Sequence, residues 1–296
     1  MSGAVTSGGH LFENVVVYGT GLIGGSLAVA ARRAGVVGQV TGVGRTRANL
    51  ETALEHDLVD SIILASDEAD VRAALAKADL VVLSAPTEAC VELLAPVAAR
   101  TGADCVISDA CSVKLPLCRK AAELGVAQRF VGAHPMAGAE RAGAAAADAE
   151  LYKGRVTVLT TDGGGDEARA RVAGLWNAVG SRVLELDANT HDTTVALTSH
   201  LPQMVVFALA AAVDGHDSER IRALTGQGMR DTTRLAASEH AMWVSIARAN
   251  RDRLLETMDR FTEVWTRLRE AVAAGDEGAM VEIMQAAARA RESIRS

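Results

Sequence analysis

The 296-residue chain is poor in aromatic residues, lysine, proline and cysteine, and each shortage excludes a class of protein. Aromatic residues make up 3% of the sequence, which argues against a surface that stacks nucleic-acid bases. The net charge of −7 disfavours binding to polyanions. Because 49% of the residues are hydrophobic and only 5 are proline, the composition is that of a globular protein. The length of 296 residues corresponds to about two domains.

The cysteines and the apolar runs bear on location and on metal binding. Cys90, Cys105, Cys111 and Cys118 form no C-x-x-C pair, and no histidine completes a zinc-ligand spacing. We therefore expect no metal site and a reduced, cytoplasmic location. The longest apolar run, 204–213, is shorter than the roughly 20 residues that cross a bilayer. The sequence thus predicts that neither a membrane nor nucleic acid is a partner.

Two patterns of hydrophobic residues divide the chain near residue 187. In 1–187, short apolar runs alternate with helical stretches, with predicted strands at 15–17, 40–43, 62–64, 80–83, 106–107, 129–133, 155–160 and 182–186. Apolar strands separated by helices are typical of βαβ units, so this part is predicted to be a Rossmann-type, doubly wound parallel sheet. Residues 188–296 show almost only helical patterns and are predicted to form a separate helical domain.

One stretch of the helical half has an apolar stripe. Its members alternate spacings of four and three residues: Leu254, Met258, Phe261, Trp265, Leu268 and Val272. Such a stripe either packs against the core of its own domain or also forms part of a seam between subunits.

A glycine-rich loop follows the first strand directly. Residues 19–24 read G-T-G-L-I-G, a G-x-G-x-x-G motif between a strand and a helix, which is the context in which this motif binds a dinucleotide. Gly19 would permit the tight turn, Gly21 the approach of a pyrophosphate and Gly24 the close packing of helix on strand. Leu22 and Ile23 begin the helix, whose N–H groups favour phosphate.

The end of the second strand bears on which dinucleotide binds. NAD enzymes place a carboxylate there, but no Asp or Glu occurs between Asn14 and Leu50. The strand is followed by Arg45, Thr46 and Arg47, whose guanidinium groups suit the extra phosphate of NADP. NADP is therefore predicted over NAD, the alternative being that these arginines are solvated residues at a helix start.

Polar residues also follow the later strands, where a doubly wound enzyme builds its active site. Ser84 and Pro86 follow one strand, Ser112 follows the next, and His134 stands in a predicted loop after a third. His134 is the best candidate base, because imidazole titrates near neutral pH and can take a hydroxyl proton as hydride leaves. Ser112 would orient the imidazole or the nicotinamide, or would only cap a helix.

The helical half adds a second set of polar candidates. Ser199, His200 and Gln203 lie close together in the sequence, and His200 is either a polar contact for a substrate or a buried, hydrogen-bonded residue. Arg234 has the forked donors that suit a substrate carboxylate, the alternative being an exposed helix arginine.

Taken together, these segments resemble the prephenate and arogenate dehydrogenases of tyrosine biosynthesis. The similar segments run in the family's order: 19–26 (GTGLIGGS), 109–114 (DACSVK), 134–140 (HPMAGAE), 199–202 (SHLP) and 230–238 (RDTTRLAAS). The resemblance implies a Rossmann domain followed by a helical domain that forms a homodimer. The implied reaction is an oxidative decarboxylation, in which hydride passes from the ring carbinol carbon to the nicotinamide and the dienone loses CO₂.

The resemblance also implies roles for single residues. His134 would bind or deprotonate the ring hydroxyl with support from Ser112. Arg234, from its own or the partner subunit, would bind a substrate carboxylate. Glu140 and Asp231 would belong to the ionic network around the substrate. Where many members have a histidine, this chain has Gln203. A neutral amide accepts a hydrogen bond from an ammonium group, which favours arogenate over prephenate.

Two alternatives stay open. A β-hydroxyacid dehydrogenase or a related reductase has the same order of domains but needs a catalytic lysine in the helical half, and no lysine follows Lys153. A regulator that binds NADP without turnover would have no use for His134, Ser112 and Arg234 together.

Overall fold

The computed structural model describes residues 9–139, 141–216 and 218–295, which pack as two units. The first unit comprises the described residues up to Val195 together with Ala237–Asn250. The second comprises the described residues of Ala196–Ala236 and those from Arg251 onward. The domain boundary predicted near residue 187 stays a prediction.

Six parallel strands form the central sheet of the first unit. They are β1 (Phe12–Tyr18), β2 (Val37–Gly44), β3 (Ser61–Leu64), β4 (Leu80–Leu83), β5 (Val106–Asp109) and β6 (Phe130–Val131). Their spatial order is β3-β2-β1-β4-β5-β6, which is the order of doubly wound dinucleotide-binding folds. The predicted fold class is therefore confirmed.

Seven helices belong to the described part of the first unit up to Val195, and the first five of them connect successive strands of this sheet. They are α1 (Leu22–Arg33), α2 (Arg47–Glu55), α3 (Glu68–Lys77), α4 (Thr87–Arg100), α5 (Leu115–Glu123), α6 (Asp166–Ala178) and α7 (Ala188–Val195). Successive residues of a strand enter two different buried clusters: Val15 and Val17 belong to one, Val16 and Tyr18 to the other. Because both faces are covered, the strands are apolar without alternation.

A second, smaller sheet contains β7 (Ala133–Pro135), β8 (Val156–Thr160) and β9 (Arg182–Leu186), with β7 antiparallel to β8. The single strand predicted at 129–133 is therefore wrong, since the chain changes sheet at Gly132. A Cβ atom on Gly132 would lie 2.7 Å from Oγ1 of Thr160, so a side chain would not fit at the crossing. His134 consequently lies inside β7, paired with Val158, and not in the predicted loop.

Beyond α7, most of the described residues are helical. The helices are α8 (Leu201–Ala211), α9 (Ser218–Leu224), α10 (Gln227–Thr233), α11 (His240–Ala249), α12 (Arg251–Ala274) and α13 (Glu277–Arg295). All except α11 belong to the second unit. In the first unit, α11 packs on α4, where the Ser245 hydroxyl donates a hydrogen bond to the Glu88 carboxylate.

The apolar stripe predicted in the second half lies on α12. Leu254 is buried, but most of the stripe is open: Phe261 is 38% exposed, Trp265 59% and Val272 61%. We call the exposed residues Met258, Phe261, Trp265 and Val272 the α12 apolar face. The rings of Phe261 and Trp265 stack within it, with centroids 6.4 Å apart.

One helical stretch among the described residues, Ala188–Ala211, is long and apolar enough to cross a membrane by length and composition alone. Core helices of soluble proteins pass the same test. This stretch also carries four buried polar side chains: His191, Asp192, His200 and Gln203. The absence of a membrane partner stays a prediction.

Candidate active site

The glycine-rich loop has the shape that a dinucleotide requires. Gly19 has a φ of +93°, and a Cβ atom there would lie 2.1 Å from the carbonyl oxygen of Ser84. A Cβ atom on Gly24 would lie 2.1 Å from the carbonyl oxygen of Gly19. At Gly21, by contrast, no described atom outside its own neighbourhood lies within 4 Å of such a Cβ, so the backbone is open to a ligand. Leu22 and Ile23 then begin α1, whose first N–H groups have no partner within the helix.

Distant segments hold this loop in place. Oγ1 of the buried Thr20 accepts a hydrogen bond of 3.3 Å from the Asn49 side chain, whose Oδ1 accepts one of 3.0 Å from the Ala144 N–H. The hydroxyl of Tyr152 donates to the carbonyl oxygen of Ile23 at 2.5 Å. These bonds hold the loop and the first turn of α1 in place.

The other predicted cofactor residues stand at the same edge of the sheet. Ser84 follows β4, and its N–H donates to the carbonyl oxygen of Tyr18 at 2.7 Å. Pro86 is the N-cap residue of α4. Arg45, Thr46 and Arg47 follow β2 and are exposed. Since the carboxyl ends of parallel strands meet at one edge, the fold brings these residues together, as a dinucleotide site needs.

A fully buried ion pair lies beside the predicted base. Lys114 and Asp109 are both 0% exposed, and the ammonium group contacts Oδ2 of Asp109. The ammonium also donates to the carbonyl oxygen of Ala133 at 2.7 Å, while Oδ1 of Asp109 accepts from the Ala133 N–H at 3.1 Å. Burial by itself would lower the pKa of Lys114, but the charge of Asp109 holds that pKa above its ordinary value. The pair thus fixes both polar backbone groups of the residue before His134.

The imidazole of His134 belongs to a buried chain of hydrogen bonds. Its Nδ1 lies 2.8 Å from Nε2 of His191, and Nδ1 of His191 lies 2.7 Å from Oδ1 of Asp192. The two carboxylate oxygens of Asp192 accept the backbone N–H groups of Lys114 and Leu115, each at 2.8 Å. His134 is 9% exposed, and the other two members of the chain are 1% exposed.

The sequence did not single out His191 and Asp192, because they belong to no motif and lie 57 residues beyond His134. The one local sign is a His-Asp pair at the start of an apolar helix.

The carboxylate of Asp192 binds the first N–H groups of α5, which bears on the interpretation of Ser112. The N-cap residue of α5 is Lys114, so the alternative that Ser112 caps this helix is wrong. Ser112 is half-buried in the turn between β5 and α5, and its catalytic role stays a prediction.

The second unit contains the predicted substrate contacts Ser199, His200, Gln203 and Arg234. Ser199 and His200 belong to a π-helical turn, Ala196–His200, and His200 is 1% exposed. The amide nitrogen of the buried Gln203 donates to the carbonyl oxygen of Leu235 at 2.7 Å. This bond links α8 to Leu235, the residue after Arg234. The side chain of Arg234 is exposed.

Asp231 and Glu140 are the residues predicted for the ionic network around the substrate. Oδ1 of Asp231 accepts a hydrogen bond of 2.7 Å from the Gln227 side chain, one turn earlier in α10. Glu140 lies outside the described residues. Among the residues that are described, no group of three or more His, Cys, Asp or Glu side chains is placed to hold a metal ion.

Two family models match the chain. Residues 27–185 match the nucleotide-binding domain of prephenate dehydrogenase, and residues 187–286 match its dimerization domain. A cyclohexadienyl dehydrogenase of Zymomonas mobilis is 30% identical over 290 residues, which cover 97% of each chain.

Solved structures agree with this assignment. Prephenate dehydrogenase of Aquifex aeolicus, in complex with hydroxyphenyl propionate and NAD⁺, superposes with a TM-score of 0.87 at 28% identity, covering 95% of this chain and 98% of that one. Arogenate dehydrogenase of Synechocystis superposes with a TM-score of 0.79 at 26% identity, covering 95% and 99%. The chain carries a nucleotide-binding dehydrogenase domain, and it belongs to the prephenate dehydrogenase family.

Proposed function

We propose that the protein catalyses the oxidative decarboxylation of arogenate, prephenate or both, with NADP as the hydride acceptor, in tyrosine biosynthesis. Family membership supports the reaction class. The observation that carries the proposal is the setting of His134. A buried ion pair holds the backbone before this residue, and a second histidine holds its ring. An imidazole held in this way, in the same unit as the glycine-rich loop, suits a base that acts on a bound alcohol.

The chemistry needs one group that moves a proton twice. The glycine-rich loop 19–24 would hold NADP, which would supply the acceptor for the hydride of the ring carbinol carbon. His134 takes the proton of the hydroxyl group on that carbon, which leaves a dienone. The ring carboxylate then departs as CO₂, and its bonding electrons make the ring aromatic and place a negative charge on the former hydroxyl oxygen. His134 returns its proton to that oxygen, so the protein ends in its starting state.

The preference for NADP is the finer part of the proposal. The edge of the sheet next to β2 presents Arg45, Thr46 and Arg47 to solvent, and a guanidinium group binds a phosphate monoester with charge-assisted hydrogen bonds. The similar Aquifex enzyme was solved with NAD⁺, so the preference of this chain depends on its own residues.

Substrate contacts are proposed for the second unit. Arg234 binds a carboxylate of the substrate, and Ser199 and His200 add polar contacts. Glu140 and Asp231 would belong to the ionic network around the substrate. Gln203 uses its amide nitrogen on the Leu235 carbonyl, which turns the amide oxygen into the end that accepts from an ammonium group. This orientation supports arogenate as the better substrate.

We further propose that the protein is a homodimer. The match to a dimerization domain suggests self-association, and the α12 apolar face supplies exposed aromatic and aliphatic area that a second copy would cover. Arg234 would reach a substrate in its own or in the partner subunit. The cytoplasmic location stays a prediction, and the four free cysteines are all buried.

The test follows reduction of NADP at 340 nm with arogenate, prephenate and a 3-hydroxy acid in parallel. We expect activity with the first two only, and a His134→Asn variant that binds NADP normally but turns over about 10²- to 10⁴-fold more slowly. Activity with the 3-hydroxy acid alone would favour the β-hydroxyacid alternative. NADP binding without turnover of any substrate would favour a regulator.

A further inference from the structure

We propose that His191 and Asp192 are positioning residues that fix the tautomer of His134, so that its Nε2 is the atom that takes the substrate proton. The inference rests on the proposed function for the role of His134 as base. It adds His191 and Asp192 as the residues that determine which ring nitrogen of His134 takes the proton. Both residues lie outside the motifs of the sequence.

The first step concerns the direction of the bonds at Asp192. Backbone N–H groups only donate, and those of Lys114 and Leu115 each meet one oxygen of this carboxylate at 2.8 Å. Both oxygens are therefore acceptors. They also lie at the N-terminus of α5, where the helix dipole favours negative charge. The contact of 2.7 Å between Oδ1 and Nδ1 of His191 is consequently a bond that His191 donates.

The second step follows the proton along the chain. A neutral imidazole carries one N–H, so a His191 that donates from Nδ1 has a lone pair on Nε2. This Nε2 lies 2.8 Å from Nδ1 of His134, which must then be the donor of that bond. The remaining nitrogen of His134, Nε2, carries a lone pair and is the only ring atom able to accept a proton.

The third step concerns the orientation of the ring. The two imidazoles meet edge to face at 79°, with centroids 5.0 Å apart. Lys114 closes the network, because its ammonium binds the carbonyl oxygen of Ala133 while its backbone N–H binds Asp192. The side chain of Asn250 donates to the carbonyl oxygen of Asp192 at 2.8 Å. Because Lys114 and Asn250 hold this network in place, the ring of His134 keeps its Nδ1 on His191.

The network also suits the state that follows proton transfer. When His134 becomes an imidazolium, its Nδ1–H bond to His191 strengthens, since a charged donor makes a shorter and stronger bond. The carboxylate of Asp192 lies next along the chain and compensates the new positive charge through His191. The two residues thus act through the ring of His134, which makes them positioning residues.

The kinetic test compares three single variants of the full-length protein. We expect His191→Phe, which removes the acceptor, to lower kcat by about 10- to 100-fold, with KM and the dissociation constant of NADP changed by less than about 2-fold. In His191→Gln, the amide oxygen accepts from His134 and the amide nitrogen donates to Asp192, so most of the lost kcat returns. His56→Phe changes an exposed histidine outside the site and leaves kcat unchanged.

The second readout is the tautomer itself, observed by NMR of protein labelled with ¹⁵N in histidine. At about pH 8, where an ordinary imidazole is neutral, we expect His134 to carry its proton on Nδ1 in the wild type and a mixture of tautomers in His191→Phe. The spectrum of His134→Asn identifies the resonances. This measurement also covers the case in which His191→Phe does not fold, because the wild type and His191→Gln suffice.

Two results would overturn the proposal: a wild-type His134 protonated on Nε2, or a folded His191→Phe variant with unchanged kcat. The failure of the proposed function is a different result. If the wild type oxidises neither arogenate nor prephenate, that function is wrong, while the NMR spectra still decide whether His191 and Asp192 fix the tautomer of His134.

Discussion

The buried pair of Lys114 and Asp109 offers the sharpest test of how the site is held. In a Lys114→Met variant the side chain keeps nearly its length and volume but loses its charge. Among the described residues, the carboxylate of Asp109 then keeps the backbone N–H groups of Cys111 and Ala133 as donors, at 2.9 and 3.1 Å, and loses its ion-pair partner. The carbonyl oxygen of Ala133 loses the donor that it has at 2.7 Å.

The magnitude follows from the complete burial of both side chains. Removing one partner of a buried ion pair costs about 3–5 kcal/mol, because the other charge stays buried without compensation. The orphaned carbonyl adds about 1–3 kcal/mol. We therefore expect the free energy of unfolding to fall by at least about 4 kcal/mol, a large share of the roughly 5–15 kcal/mol that stabilises a typical protein.

The assay is equilibrium unfolding in urea at a fixed protein concentration, followed by tryptophan fluorescence, since Trp176 is buried in the first unit. The matched control is Lys153→Met. Lys153 pairs with Glu150 at 2.9 Å, but the two side chains are 74% and 62% exposed, so its loss should cost less than about 1 kcal/mol. Equal effects of the two substitutions would refute the view that Lys114 compensates a buried charge.

The same pair predicts a dependence on pH. Burial acts to lower the pKa of Lys114, but the negative charge of Asp109 raises it. The pKa of Lys114 in the folded protein therefore lies above its ordinary value of 10.5. A raised pKa means that the stabilisation is fully present below the unfolded pKa and is lost as pH rises through the folded one. The difference between wild type and Lys114→Met should therefore stay constant from neutral pH to about pH 10 and shrink above it.

Three further predictions concern the cofactor, the oligomer and the substrate. We expect the wild type to prefer NADP over NAD by about 10- to 100-fold and Arg45→Ala to lose most of that preference in steady-state kinetics; unchanged selectivity would count against Arg45. Trp265→Asp should convert a dimer into a monomer in light scattering at micromolar concentration, and a monomeric wild type would remove the proposed role of the α12 apolar face. Gln203→His should shift the ratio of kcat/KM from arogenate towards prephenate, and an unaffected ratio would show that charge at this position does not select the substrate.

The features that could be predicted from the sequence are those with a local physical cause. Strands buried on both faces need unbroken apolar runs, and the parallel order of β1 to β6 follows from their alternation with helices. The turn at Gly19 needs a positive φ, and Gly24 stands where a Cβ atom would collide with the backbone. Each of these constraints acts between near neighbours or on one backbone position, so it is visible as spacing or as a glycine.

The arrangement around His134 depends on contacts between distant segments, and only the tertiary structure decides it. The change of sheet at Gly132 is set by Thr160 on another strand. The N-terminus of α5 is capped by a carboxylate from α7, and that same carboxylate holds the histidine behind the base. No periodicity or motif records which of seven histidines meets another across 57 residues, because that contact depends on how side chains pack once the helices and strands are in place.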